Sequence, residues 1–145
     1  MKKFLLLIVS LGLFQNVLAD PTVAQAEELF EKFSKYLVAG EYEAAFNLRS
    51  DPFKQVITKP DGTKAKLEVS KEQALAGMKL LKESGKLTEI KKHEIKIVGT
   101  ENQDGNLIVT ARVTVDPGLP AKAFYTLREI DGKVLIVGEE YTAAE

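Results

Sequence analysis

A chain of 145 residues with 20 basic against 21 acidic side chains is sized for one domain and has no charge excess that would favour nucleic acid or an anionic membrane as a partner. It has no cysteine, which excludes disulfide staples, thiol chemistry, cysteine metal sites and lipid attachment through an N-terminal cysteine. With His93 as the single histidine, a metal site of three or four ligands is not expected either.

Lys2 and Lys3 precede an apolar run from Phe4 to Phe14, and Val17, Leu18 and Ala19 form a small-residue exit. This is the layout of a secretory signal peptide, with cleavage expected between Ala19 and Asp20. A retained membrane helix needs roughly 18 or more unbroken apolar residues. This run is shorter and is interrupted by Ser10 and Gly12. Residues 20–145 are therefore expected to form a single mature domain of 126 residues, the 145 less the 19 removed. Loss of Lys2 and Lys3 leaves 18 basic side chains against 21 acidic ones. The expected location is the periplasm or the exterior, with no membrane attachment after cleavage.

From Thr22 to Ala39, the residues Val23, Ala26, Phe30, Phe33 and Leu37 recur at spacings of 3, 4, 3 and 4, one face of an α-helix. Asp20 and Pro21 fit an N-cap followed by proline, and Thr22 with Gln25 fits a capping box one turn later. Gly40 is a stop signal, after which Glu41 to Arg49 resumes helical spacing through Tyr42, Ala45 and Phe46. Ser50, Asp51 and Pro52 are expected to break that second helix, because the residue before proline is pushed out of the α region.

In the stretch Phe53 to Ser70, Val56, Ile57 and Thr58 and the alternating Ala65, Leu67 and Val69 flank Pro60, Asp61 and Gly62, which predicts a hairpin. Its lysines, 54, 59, 64 and 66, read as a solvated outer face or as edge protection. Ser70 and Gln73 form a second capping-box pattern, and Ala74, Leu75, Met78 and Leu81 continue it as a helix over Lys71 to Ser84. Gly77 inside that helix suggests a close packing neighbour.

Beyond Ile90 the period changes to two. His93, Ile95 and Ile97 share one face, and the segments Leu107–Val115, Ala121–Ile130 and Val134–Val137 follow as further strands. Asp104-Gly105 and Asp131-Gly132 are hairpin turns, and residues 116–120 form a longer corner, so a four-stranded antiparallel meander is expected. Early helices and late hairpin-linked strands argue for an α+β domain, three helices packed on a curved antiparallel sheet. Phe30, Phe33, Leu37, Phe46, Met78 and Leu81 are expected to pack against the inward faces of the last four strands.

This element order, with the step Gly40, Glu41, Tyr42, Glu43, Ala44, Ala45, Phe46 after the first helix, resembles the nuclear transport factor 2-like, or cystatin-like, superfamily. The resemblance covers nearly all of the mature chain and implies a cone of helices wrapped by a sheet. The superfamily it resembles includes isomerases and dehydratases that set a carboxylate or histidine base and a tyrosine acid in an apolar cavity.

No Gly-x-Ser-x-Gly elbow, phosphate loop or dinucleotide fingerprint occurs, and no cofactor is expected. The candidates for catalysis are His93, Asp51 and Tyr42, and those for ligand binding are Tyr36, Arg49 and Tyr125. Arg49 with Asp51 is either a clamp for a polar ligand group or a local ion pair. The expected function is non-catalytic binding of a small apolar or amphipathic ligand, or of a protein of the cell envelope. The alternative is a small cavity enzyme, an isomerase, dehydratase or hydrolase, with His93 as general base. Apolar residues left on the far sheet face, such as Ile108 and Phe124, suggest a two-fold homodimer.

Overall fold

Two capping boxes set the starts of the long helices. A computed structural model describes residues 20–143, and the expected signal peptide lies outside them. Helix α1 spans Val23–Ala39, and its N-cap is Thr22 rather than Asp20: the Thr22 hydroxyl accepts from the Gln25 N–H at 3.2 Å, while the Gln25 side chain accepts from the Thr22 N–H at 2.9 Å. Gly40 ends it, donating back to the Leu37 carbonyl. A short helix α2, Tyr42–Phe46, stops earlier than its spacing predicts because the Leu48 carbonyl is taken by the N–H of Ile136 at 2.9 Å, and the chain enters a strand at Arg49.

That strand, β1, runs Arg49–Thr58, so Ser50, Asp51 and Pro52, expected to break the second helix, stand in a strand beyond its end. Its pairing with the last strand shifts register between Arg49 and Lys54, where Pro52 has no N–H to give. The predicted hairpin is present: β1 pairs with β2, Lys64–Val69, from Phe53 opposite Val69 to Thr58 opposite Lys64. Helix α3 follows at Lys71–Glu83 behind the capping box of Ser70 and Gln73. The strands β3, Lys92–Gln103, β4, Asn106–Asp116, β5, Ala121–Ile130, and β6, Lys133–Ala143, then form the antiparallel meander. Asp104 and Gly105 turn the first hairpin, and Asp131 and Gly132 the last, all four residues with positive φ, as a tight primed turn requires.

The meander is part of a larger sheet. Six strands stand in the order β2-β1-β6-β5-β4-β3, and β1 joins β6 in parallel, so the sheet is mixed and not purely antiparallel. Helix α1 lies across its inner face. Ala26, Leu29, Phe30 and Phe33 from α1 close on Val109, Ala111, Val113, Ala123, Tyr125, Leu127 and Ile136. Phe30 and Phe33 thus fill the core as predicted, with Leu37 partly buried against it.

Phe46, Met78 and Leu81 do not, and Phe46 is half-buried beside the Arg49 guanidinium. No residue of α3 is buried; the helix lies beside α2 and the start of β1, and Leu80 is 67% exposed. The reason is topological, because α1 already covers the inward faces of the meander, and α3 is left at the open end of the sheet. Nor does Gly77 mark a tight contact, since a Cβ built there meets nothing within 4 Å. On the far sheet face, the Lys122 ammonium sits 5.2 Å from the centroid of the half-buried Phe124 ring. No helix among the described residues is long and apolar enough to cross a membrane.

Candidate functional site

Between α3 and β1 lies a groove of about 710 Å³. Ala74, Gly77, Met78 and Leu81 form its helical wall, and Phe46, Arg49, Phe53 and Gln55 form the opposite side. The wall is amphipathic sequence that found no core to cover, and the floor is the inner face of β1.

Arg49 organises that floor. Its guanidinium lies 4.4 Å from the centroid of Phe53, 5.0 Å from Phe33 and 5.1 Å from Phe46, so three aromatic faces hold one cation. Arg49 Nη2 donates to Glu139 Oε2 at 3.3 Å, and Gln55 Nε2 donates to Glu139 Oε1 at 3.2 Å. Beside this carboxylate the hydroxyls of Tyr125 and Tyr141 share a hydrogen bond of 2.9 Å. The Glu139 side chain is only 3% exposed, against 18% for Arg49. Burial raises the Glu139 pKa, and the Arg49 charge, then Tyr141 and Gln55, oppose the rise. Burial likewise pushes both tyrosine hydroxyls up, so both are neutral donors at physiological pH.

Of the residues expected at a site, the fold brings Arg49 and Tyr125 into one network and separates the others. Arg49 pairs with Glu139 and not with Asp51. Asp51 is exposed, and its carboxylate accepts the Lys71 N–H at 3.1 Å, tying β1 to the first turn of α3. His93 faces a second groove of about 830 Å³ between α1 and β3, shared with Phe30, Ser34 and Ile95. Its Nδ1 lies 2.8 Å from the Ser34 hydroxyl, and its ring meets the Phe33 ring edge-on at 6.0 Å. Burial, and secondly the Arg49 charge, lower its pKa, so the imidazole is neutral at pH 7. Tyr42 lines a third groove, between α2 and α3, with its ring 6.5 Å from Phe46. Tyr36 packs against the edge of the core. Among the described residues no three of His, Cys, Asp and Glu come together as metal ligands.

Glu139, Gln55 and Tyr141 are absent from the sequence candidates. Glu139 and Tyr141 alternate correctly for one sheet face, and that was the available signal. It was obscured because the register of β5 on β6 shifts between Thr126 and Leu127, placing Ile136 and Glu139, three residues apart, on the same inner face.

Solved structures match this architecture across most of its length. A nuclear transport factor 2-like protein of unknown function from Shewanella baltica aligns with a TM-score of 0.61 at 12% identity, covering 87% of this chain and 99% of that one. The chain has the nuclear transport factor 2-like fold. A protein of unknown function with a cystatin-like fold from Nostoc punctiforme gives 0.62 at 15% identity, over 87% of this chain and 96% of its own. ActVI-ORFA from Streptomyces coelicolor gives 0.59 at 14%, over 83% and 95%. No protein-family model matches the chain, and no curated protein sequence does either. At such identities the nuclear transport factor 2-like fold is shared while its site chemistry is set by each sequence, here by Arg49 and Glu139.

Proposed function

We propose that the protein is an exported binding domain of the cell envelope that takes a small amphipathic ligand, without transforming it, into the groove between α3 and β1. One observation carries the reading: α3 has apolar side chains and none is fully buried, so its inner stripe faces an open groove whose floor sets Arg49 and Gln55 among Phe46 and Phe53. A ligand that supplies apolar surface to Ala74, Met78 and Leu81 and a polar end to the floor completes both. The acid and base groups favour binding over turnover. Glu139 is engaged by Arg49 and Gln55, and His93 stands in a different groove with a serine, not a carboxylate, on its Nδ1.

Gly77 offers a clean test, because it lines the groove and has open space at its Cβ position. In Gly77→Leu the new side chain enters the groove, and helix propensity improves by up to about 1 kcal/mol, so the fold is retained. Titration with decanol, followed by amide NMR shifts, should perturb Phe53, Ala74 and Met78 in the native protein and leave Gly77→Leu unmoved. Equal response of both proteins, or shifts confined to other faces, would refute the groove as the binding site. Export makes a separate claim: protein recovered outside the cytoplasm should begin at Asp20 by mass spectrometry.

The second reading, a cavity enzyme with His93 as general base, rests on the neutral imidazole lining the α1–β3 groove. It requires that His93→Asn abolish turnover of a substrate while leaving its binding intact.

A further inference from the structure

Charge separates the three grooves. Those that hold His93 and Tyr42 mix both signs: Glu27, Glu31 and Glu94 with Lys35 and Lys96 in one, Glu41, Glu43 and Glu89 with Lys79 and Lys82 in the other. In the groove between α3 and β1 every charged lining residue is a cation, Arg49, Lys71 and Lys86, although the whole chain has a formal charge of −1. Arg49 and Lys71 each have a carboxylate in ion-pair range, Glu139 Oε2 at 3.3 Å from Arg49 Nη2 and Glu43 Oε1 at 3.7 Å from the Lys71 ammonium, but neither carboxylate lines the groove, and Lys86 has no ion pair among the described residues.

Arg49 is also under-used as a donor. A guanidinium has five N–H groups in a planar fork. Its Nη2 reaches Glu139, while Nε is buried with no acceptor among the described residues. The guanidinium therefore has donors to spare, and the aromatic rings around it lower the local dielectric and strengthen any charge-assisted bond made at its exposed edge.

We propose that the ligand of this groove is an anionic single-chain amphiphile, a carboxylate whose head is taken by Arg49 with Lys86 at the rim and whose chain lies along Ala74, Gly77, Met78 and Leu81. The planar fork pairs with a planar carboxylate through two parallel bonds, which a lysine cannot do. The claim rests on the groove being the binding site, as proposed above, and adds the head-group chemistry to it.

Three probes of one chain length separate the two ideas: decanoate, decanol and decylammonium, each below its aggregation threshold at pH 8, titrated into the protein by calorimetry and NMR. Decanoate should bind at least tenfold more tightly than decanol, decylammonium most weakly, and the Arg49 Nε–Hε signal should move only with decanoate. Decanol binding as tightly as decanoate would overturn the anionic head while leaving the groove reading standing. Decylammonium binding most tightly would overturn it in favour of Glu139. No binding by any of the three would remove both. Because Arg49 alone cannot be deleted without stranding Glu139, the matched variant is the pair Arg49→Gln with Glu139→Gln, in which the preference for decanoate over decanol, both measured on that variant, should fall to threefold or less. Lys86→Gln, at the exposed rim, should lower the preference about two- to threefold; no change in either variant would overturn the assignment.

Discussion

Under α1, strands β3 to β5 meet the helix with Val109, Ala111, Ala123 and Leu127 fully buried, and their neighbours are aliphatic or aromatic. At the other end of the sheet, β1 and β6 place Arg49, Gln55 and Glu139 on the same inner face, and no residue of the helix above them is fully buried. One end is closed by a helix whose apolar stripe matches the strands below it; the other is roofed by a helix that has its apolar stripe to spare. The contrast teaches how this fold comes to have an open groove: apolar surface left over after the core is complete is set against polar groups paired with each other.

The strongest way to break the comparison is to truncate one apolar residue in each half. Phe33→Ala should cost about 3–5 kcal/mol in urea unfolding, since Phe33 is buried against the core. Met78→Ala should cost about 1 kcal/mol or less, because Met78 is only half-buried on the groove wall. Equal losses would mean that α3 is as much a part of the core as α1.

A smaller effect sharpens the polar side. Glu139→Ala leaves the Arg49 cation in its aromatic cage without its carboxylate, with an expected loss of about 3 kcal/mol. Replacing both partners, Arg49→Met with Glu139→Leu, should return stability to within about 1 kcal/mol of native. If the double variant were as unstable as the single one, the pair would be stabilising in itself and not a compensated charge held at the floor of a groove.

The smallest effect is in pH, and its sign differs between the two ends. Glu139 has a folded-state pKa raised above its ordinary 4.5. The folded chain therefore binds that proton more tightly than the unfolded one, and the contribution is complete below pH 4.5 and lost as pH rises through the folded value. His93 has a folded-state pKa lowered below 6.5, so its contribution is present above pH 6.5 and lost as pH falls through the folded value. Melting temperatures measured across pH should show Glu139→Gln removing only the loss on raising pH, and His93→Asn only the loss on lowering it. The same change in both variants would mean that the two groups titrate as one network through Arg49.

Much of this architecture is legible in residue spacing. Thr22 with Gln25 and Ser70 with Gln73 mark helix starts because a capping box needs only four residues, and Asp104-Gly105 and Asp131-Gly132 mark hairpins because their positive φ angles are a property of two residues. Phe30 and Phe33 are legible as core from the periodicity of α1 alone. Of the site, Arg49 and Tyr125 are nameable from residue type. Their partners are not, because Arg49 and Glu139 are 90 residues apart and meet only through the parallel pairing of β1 with β6.

Local sequence determined what depends on local energy: helix caps, turns, the alternation of each strand, and hence an α+β chain of early helices and a late meander. Tertiary structure alone decided which apolar stripe would be covered, since α1 and α3 carry similar patterns and only one could occupy the sheet's inner face. It also decided which polar residues would face inward on β6, where the register shift that sends Glu139 to the floor beside Arg49 is set by pairing with a neighbouring strand.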